Sequence, residues 1–449
     1  MTLIALLFLA TNYVTYLGGT GGDVAAAMAV DYAGSVYVSG TSSSSDFPVT
    51  STSLGGPSAG HHCGFIAKLT PDGNALDFSI CIPDLTVNAF ALDPSGGMYL
   101  AATNLDNSQS VLKLDRNAQT IVYTVPFQNN RINAIAADPY GTVYVAGSSI
   151  SLTTTPGVYQ QRLAQGTCRA AAGLQLIPVP CEDIVVAKLA RDGSLIYATY
   201  LGGSGNDNAS AIAIDAFGDA WITGTTASPD LPVTLNALQK QFHGEVDSGP
   251  VSYGDAFVAE LDPLGSKLLY SSYLGGSFPD GANAIAVDGV GSVYIAGFTQ
   301  SPDFPVSPGV LQPSYIGSAA PPGTSGNGFL TKLDAGGNLV FSTLLGSMGS
   351  PRFTNEGSPI GGGNTFSSTI TSLAINSGRQ AIANIPGAGV FILDANATAV
   401  VCQQLSYGPL IANNGSDTVY SFGQFLPPSV NFLSAHDLIV QASDSSRCY

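Results

Sequence analysis

Three segments of this chain are near copies of one another, and that recurrence limits the possible fold more than any single residue. Tyr16-Leu-Gly-Gly19 precedes Ala29-Val-Asp31-Tyr-Ala-Gly34-Ser-Val-Tyr37-Val-Ser-Gly40 and then Asp46-Phe-Pro-Val49. The same order returns from Tyr200-Leu-Gly-Gly203 through Ala213-Ile-Asp215-Ala-Phe-Gly218-Asp-Ala-Trp221-Ile-Thr-Gly224 to Asp230-Leu-Pro-Val233. It returns again from Tyr273-Leu-Gly-Gly276 through Asp288, Gly291, Tyr294 and Gly297 to Asp303-Phe-Pro-Val306. Self-similarity of this kind denotes a repeat architecture, in which each unit buries its apolar faces only against its neighbours.

Two kinds of hairpin alternate along the chain. One is an apolar strand, an Asp-x-x-Gly turn and a strand rich in Val, Ile and Tyr; it occurs at Asp31, Asp93, Asp138, Asp215 and Asp288, and in altered form at Asn376 and Asn414-Gly415. The other runs like Phe65-Ile-Ala-Lys-Leu69, a glycine turn, and Leu76-Asp-Phe-Ser79, and returns at Leu114, Leu189, Leu261, Leu333 and Leu393. Alternation with a period of two marks half-buried strands, and glycine supplies the positive φ of the turns. Two hairpins make one four-stranded antiparallel unit, the blade of a propeller. Asp437-Leu-Ile-Val440 reads as a third strand lacking a fourth, and Asn12-Tyr-Val-Thr-Tyr16 as a fourth lacking a third. Joining them completes a seventh blade and closes a ring with no exposed edges. The expectation is an all-β, seven-bladed β-propeller over residues 12–449, with 1–11 as the remnant of a signal peptide. Trp221, where other blades carry Tyr37, Tyr99, Tyr144 and Tyr294, is expected to be a packed core aromatic.

The Tyr-Leu-Gly-Gly, Asp-x-x-Gly-x-Val-Tyr-Val-x-Gly and Asp-Phe-Pro-Val phrases resemble the SBBP repeat family, the seven-bladed β-propeller repeats of bacterial secreted and surface proteins. The likeness is close in blades one, four and five and recognisable in blade three. Blades two, six and seven keep only the hairpin pattern. The resemblance implies a fold and an extracellular setting, and it brings no catalytic residues with it.

Composition narrows the partners. The 31 acidic against 14 basic side chains, a net charge of −17, exclude a nucleic-acid groove, which needs clustered Lys and Arg. The apolar run Leu3 to Ala10, about 8 residues against the roughly 20 a bilayer needs, reads as the end of a secretory signal rather than a membrane span. Six cysteines without a Cys-x-x-Cys pair suit an oxidising compartment, secreted or at the cell surface. Cys63 with Cys81 is read as a cross-strand disulfide, Cys168 with Cys181 as the closure of one long insertion, and Cys402 with Cys448 as a tie between blade six and the tail.

The long connections, about residues 41–63, 148–183, 225–255, 299–327 and 346–368, all leave one rim, where binding is expected. Candidate ligand-binding residues there are Asp23, Asp207 and Asp280, at one place after each Tyr-Leu-Gly-Gly, together with His243, Tyr253 and Arg352. The three aspartates would coordinate Ca²⁺ or sugar hydroxyls, or else cap the backbone N–H groups of their own loops. His243, Glu245, Asp247 and Tyr253 form the best acid–base cluster, yet no elbow, phosphate loop or metalloprotease motif accompanies them. The reading is a monomeric, non-catalytic scaffold for an extracellular polymer, such as a glycan, or a protein, with no cofactor beyond Ca²⁺. The alternative is a lyase or hydrolase acting on polysaccharide in the central funnel.

Overall fold

The computed structural model describes residues 11–50, 54–56, 62–128, 130–172, 175–244, 254–316, 326–346, 369–376, 378–385, 389–404, 410–412, 418–424 and 438–444. The fold is an all-β propeller built from four-stranded antiparallel blades. Six blades are continuous in the chain. Their inner strands are Asp23–Val30, Leu85–Leu92, Asn130–Ala137, Asp207–Ile214, Asp280–Val287 and Ser372–Ile375, and each pairs outward in sequence order to an outer strand. The outer strands of blades one to six are Leu76–Pro83, Ile121–Phe127, Leu195–Leu201, Leu268–Leu274, Leu339–Leu345 and Val400–Gln404. A further four-stranded sheet takes Leu410–Ala412, Thr418–Gln424 and Leu438–Asp444 from one end of the chain and Thr11–Leu17 from the other. Its register sets Tyr16 opposite Ile439 and Leu17 opposite Leu438. Seven blades were expected; six are formed from consecutive strands, and the composite sheet unites the two ends of the chain. Among the described residues, no helix is long and apolar enough to cross a membrane.

The hairpin turns form as their residues dictate. In Asp31-x-x-Gly34 the Gly34 N–H closes onto the Asp31 carbonyl and the Asp31 carboxylate accepts the N–H groups of Ala33 and Ser35. Gly34, Gly141, Gly218 and Gly291 take the positive φ that a side chain resists. The altered repeats show what glycine was for: Arg379, Ala118 and Ala397 occupy the same left-handed turn positions at φ 58°, 54° and 54°.

The inner strands of blades one to five each carry a bulge, at Ala26, Asn88, Asn133, Ser210 and Asn283. The bulge brings an inner-strand carbonyl against the neighbouring strand. A Cβ at Gly224 would lie 2.0 Å from the Asn208 oxygen, which explains the glycine ending each Val-Tyr-Val-x-Gly phrase. Blade two keeps Ala102 there, opposite Val87.

The core lies between blades rather than within any one of them. Ala211 and Ala213 of blade four face blade five, whereas Ile212 and Ile214 face blade three. Trp221 is buried at the joint of blades four and five, its ring 5.9 Å from that of Tyr270. At three joints a tyrosine spans to the next blade. Tyr99 donates to the Gly141 carbonyl, Tyr144 to Gly218 and Tyr294 to Arg379. Beneath these rings lie Lys113, Lys188 and Lys332, each ammonium within 5.0 Å of its tyrosine centroid.

Among the described residues there are two disulfides, Cys63–Cys81 and Cys168–Cys181. The first crosses between neighbouring strands, as expected, but does not join directly opposed residues. A bulge between Lys68 and Leu69 shifts the register, so that Cys63 faces Pro83 and Cys81 faces Phe65, and the bridge runs diagonally. The second ties the base of an inserted hairpin, Thr167–Ala172 with Gln175–Pro180. Cys448 and the Cys402 side chain lie outside the described residues.

The long connections differ from their expected course in the parts described. They do not simply crown a rim; they fold back along the outer strand of their own blade. Thr50 N–H bonds Ser79 O, Thr155 bonds Ala198, Thr234 bonds Ser271 and Ser307 bonds Ser342. Each of these four connections is a strap that covers the outer strand's unpaired backbone, an edge that would otherwise invite association. In blades one and five the Asp-Phe-Pro phrase anchors it: Phe47 packs on Phe65 and Phe304 on Phe329 as tilted ring pairs, both at 4.7 Å. Three straps then reach the next blade, through Tyr159 N–H to Gly265 O, Asn236 to Gly336 O and Leu311 N–H to Ala397 O.

Candidate functional site

On the rim where the straps begin, Asp23, Asp207 and Asp280 are buried. Asp23 accepts Gly19 N–H at 2.7 Å and the Ser44 hydroxyl at 2.9 Å. Asp207 accepts Gly203 N–H and the hydroxyls of Thr226 and Ser228. Asp280 accepts Gly276 N–H and the Ser301 hydroxyl. Each carboxylate thus pins the Gly-Gly turn between blades to the start of the strap.

Sequence reasoning missed the residues beside them. Gln160, Gln239 and Gln312 lie in equivalent places on three straps, and their amide oxygens accept the N–H of Gly202, Gly275 and Gly346. The signal was in the sequence, as glutamine closing Pro156-Gly-Val-Tyr-Gln160 and Pro308-Gly-Val-Leu-Gln312. Asp183, Asp255 and Asn327 open the third strands of blades three, four and five. A Cβ on Gly202 would meet Asp183 Oδ1 at 2.6 Å and Asp207 Oδ2 at 2.8 Å, so these two carboxylates flank one glycine; Asp255 and Asp280 flank Gly275 likewise. Burial pushes all four acids up, to about 6 for Asp183, 7 for Asp207, 7 for Asp255 and 8 for Asp280. The charge of the paired carboxylate adds to the rise for Asp207 and Asp280.

His243 lies on the strap of blade four, its N–H on Asp255 Oδ2 at 2.8 Å and its Nδ1 against Gln239 Nε2. The structure does not bring it to Asp23, which belongs to blade one. Tyr253, Arg352, Glu245 and Asp247 lie outside the described residues.

The opposite rim, formed by the hairpin turns, presents the more open surface. Tyr32, Tyr140 and Phe217 occupy the Asp-x-x-Gly turns of blades one, three and four and are 80%, 81% and 82% exposed. Between blades one and two the same rim opens into a cleft of about 560 Å³ lined by Tyr32, Tyr37, Lys68, Asp93, Ser95 and Arg116. At this joint Tyr37 bonds its own Asp31, at 3.4 Å, and Lys68 pairs with Asp31 and Asp77, without the tyrosine link described for three later joints.

The first phrase cluster and its copy in blade four are also what known families recognise. The chain carries the SBBP beta-propeller repeat. It matches at residues 12–48 and 196–232. In structural terms the match at 196–232 runs from the outer strand of blade three through the first two strands of blade four to the start of its strap, and the match at 12–48 runs likewise from the edge strand Thr11–Leu17 into blade one. No curated protein matches the chain.

Proposed function

We propose that the chain is an exported, non-catalytic binding scaffold whose hairpin-turn rim meets an extracellular glycan polymer. The observation that carries this reading is the trio Tyr32, Tyr140 and Phe217, three exposed aromatic side chains on one face, Tyr32 at the second and Tyr140 and Phe217 at the third position of their Asp-x-x-Gly turns. Aromatic rings at low conformational cost are the usual anchors of recognition. The cleft beside Tyr32 adds hydroxyl, carboxylate and guanidinium groups suited to sugar hydroxyls and uronate carboxylates. Two disulfides fit an extracellular setting. Affinity electrophoresis in gels containing neutral and acidic polysaccharides tests the proposal. The wild-type chain is expected to be retarded by at least one polymer, and a Tyr32→Ala, Tyr140→Ala, Phe217→Ala variant to migrate freely. Equal retardation of both, or none by any polymer, would refute it.

We propose further that the composite terminal sheet is the seventh blade of a closed ring. Supporting this, Leu410–Ala412 approaches the inner strand Asp23–Val30 on one side and Ser372–Ile375 on the other. The repeat matched at 12–48 begins with a strand in the outer-strand frame, as its copy at 196–232 does. Deleting residues 11–17 is expected to lower Tm far more than an ordinary surface change and to broaden the transition. An unchanged Tm would mean an open array.

A further inference from the structure

Blade four departs from its sisters at one place on the hairpin-turn rim, and the departure concentrates negative charge. In blades one, two, three and five a tyrosine on the second strand faces a lysine on the third: Tyr37 with Lys68, Tyr99 with Lys113, Tyr144 with Lys188 and Tyr294 with Lys332. In blade four the pair is Trp221 with Glu260. The turn residue that is Ser35, Gly97, Thr142 or Ser292 elsewhere is here Asp219. A cation has thus been replaced by an anion and a small residue by a second anion, beside the turn aspartate Asp215.

The carboxylates of Asp215, Asp219 and Glu260 each bring an oxygen to within 4.8 Å of the other two. Asp215 Oδ1 is occupied by the N–H groups of Phe217 and Asp219. Asp219 is only 9% exposed, and its carboxylate receives no hydrogen bond and makes no ion pair among the described residues. A carboxylate buried to that degree without a partner costs free energy unless something neutralises it. Lys188 of blade three is the nearby cation, but its ammonium is committed to the Pro263 carbonyl at 3.0 Å and to the Tyr144 ring at 4.6 Å.

We propose that Asp215, Asp219 and Glu260 form a binding site for a hard divalent cation, Ca²⁺ in an extracellular setting. All three donors are oxygens, and a rim position leaves room for the waters that complete a shell of 6–8 oxygens. With three carboxylates and a partly open shell, the affinity belongs to the range of extracellular modules, a Kd of roughly 10⁻⁴–10⁻³ M. The site is separate from Asp23, Asp207 and Asp280, which sit on the opposite rim and hold turns there. It stands independently of glycan binding.

The site carries its own reporter. Trp221 is the only tryptophan in the chain and lies directly across from Glu260. Tb³⁺, which takes Ca²⁺ sites, is expected to luminesce when the full-length protein is excited at the red edge of indole absorption, and added Ca²⁺ is expected to quench that emission by displacement. After dialysis against EDTA, millimolar Ca²⁺ is expected to raise Tm by several degrees, because a ligand that binds only the native state stabilises it. Glu260→Lys restores the residue that four sister blades fold with, and Asp219→Ser restores that of blades one and five. Both variants are expected to keep a cooperative transition and lose at least tenfold in Tb³⁺ emission together with the Ca²⁺ response. Absence of sensitised emission from the wild type would overturn the proposal. So would a Ca²⁺ response of equal size in Glu260→Lys, which would locate any bound ion elsewhere.

Discussion

Replacing Trp221 by alanine is expected to cost about 3–5 kcal/mol, enough to remove a large part of a typical domain's stability. Its indole is the largest buried side chain in the described structure and fills the joint of blades four and five. It packs there with Tyr270, Val258 and Ala256 of its own blade and with Ile285, Val293 and Ile295 of the next. In a propeller the core is a series of such joints, and a cavity in one cannot be closed by collapse, because the neighbouring blades are held by the rest of the array. Tyrosine, which serves at this position in blades one, two, three and five, should cost less than about 1.5 kcal/mol. Urea unfolding followed by circular dichroism measures both, since the substitution removes the only indole. A loss below about 1 kcal/mol for Trp221→Ala would show that blades four and five are not joined through this residue.

Stability is expected to be greatest in mildly acidic solution and to decline toward slightly alkaline pH, the reverse of the trend for ordinary paired carboxylates. Asp183, Asp207, Asp255 and Asp280 are held above the unfolded carboxyl value of 3.8 by burial, the last three up to about 7, 7 and 8. The native state therefore binds more protons than the unfolded chain, and stability falls as pH rises. The benefit is complete below about 3.8 and is lost by the time pH has passed through 6 to 8. Acting against it at low pH, Asp46, Asp72 and Asp334 are held below 3.8 by hydrogen bonds from their own turns and neighbours, and their contribution is lost as they protonate. The maximum thus falls between about pH 4 and 6.

The Asp255→Asn variant isolates the cause. Blade five already carries Asn327 at the position of Asp255, accepting Ile316 N–H and Gln312 Nε2 much as Asp255 accepts His243 N–H. The variant is expected to raise Tm at pH 8, leave it nearly unchanged at pH 5 and flatten the decline between them. Calorimetry at constant ionic strength with EDTA present, which keeps cation binding out of the comparison, measures this. A Tm that is level or rising from pH 5 to 8 in the wild type would show that the carboxylate pairs are solvated or neutralised by another group.

How far these features could be read beforehand differed with their range along the chain. The Asp-x-x-Gly hairpins were legible because each closes its hydrogen bonds within five residues, as Asp31 with Gly34 and Ser35 does. The Cys63–Cys81 and Cys168–Cys181 bridges were legible as neighbours in one hairpin or one insertion, although the bulge at Lys68 made the first diagonal. The straps were not. Their residues bond outer strands about 30 to 45 positions away, as Thr50 does Ser79 and Thr155 does Ala198, and nothing in their composition separates a strap from a free loop. The Asp215, Asp219 and Glu260 cluster was half visible. Glu260 stands where lysine recurs, but its nearness to Asp219 depends on the pairing of Trp221 with Glu260 across two strands.

By itself the amino-acid order determined the repeating hairpins and the four-stranded blade, because turn chemistry and a period of two are local properties that each copy restates. Only the tertiary structure decided which carboxylates are paired and pushed up by burial, which connections became edge covers, and which rim stays open. Those outcomes depend on what one blade places against the next, and the physical cause is burial: a side chain's charge state and partners are set by the neighbour that excludes water from it, which no single repeat contains.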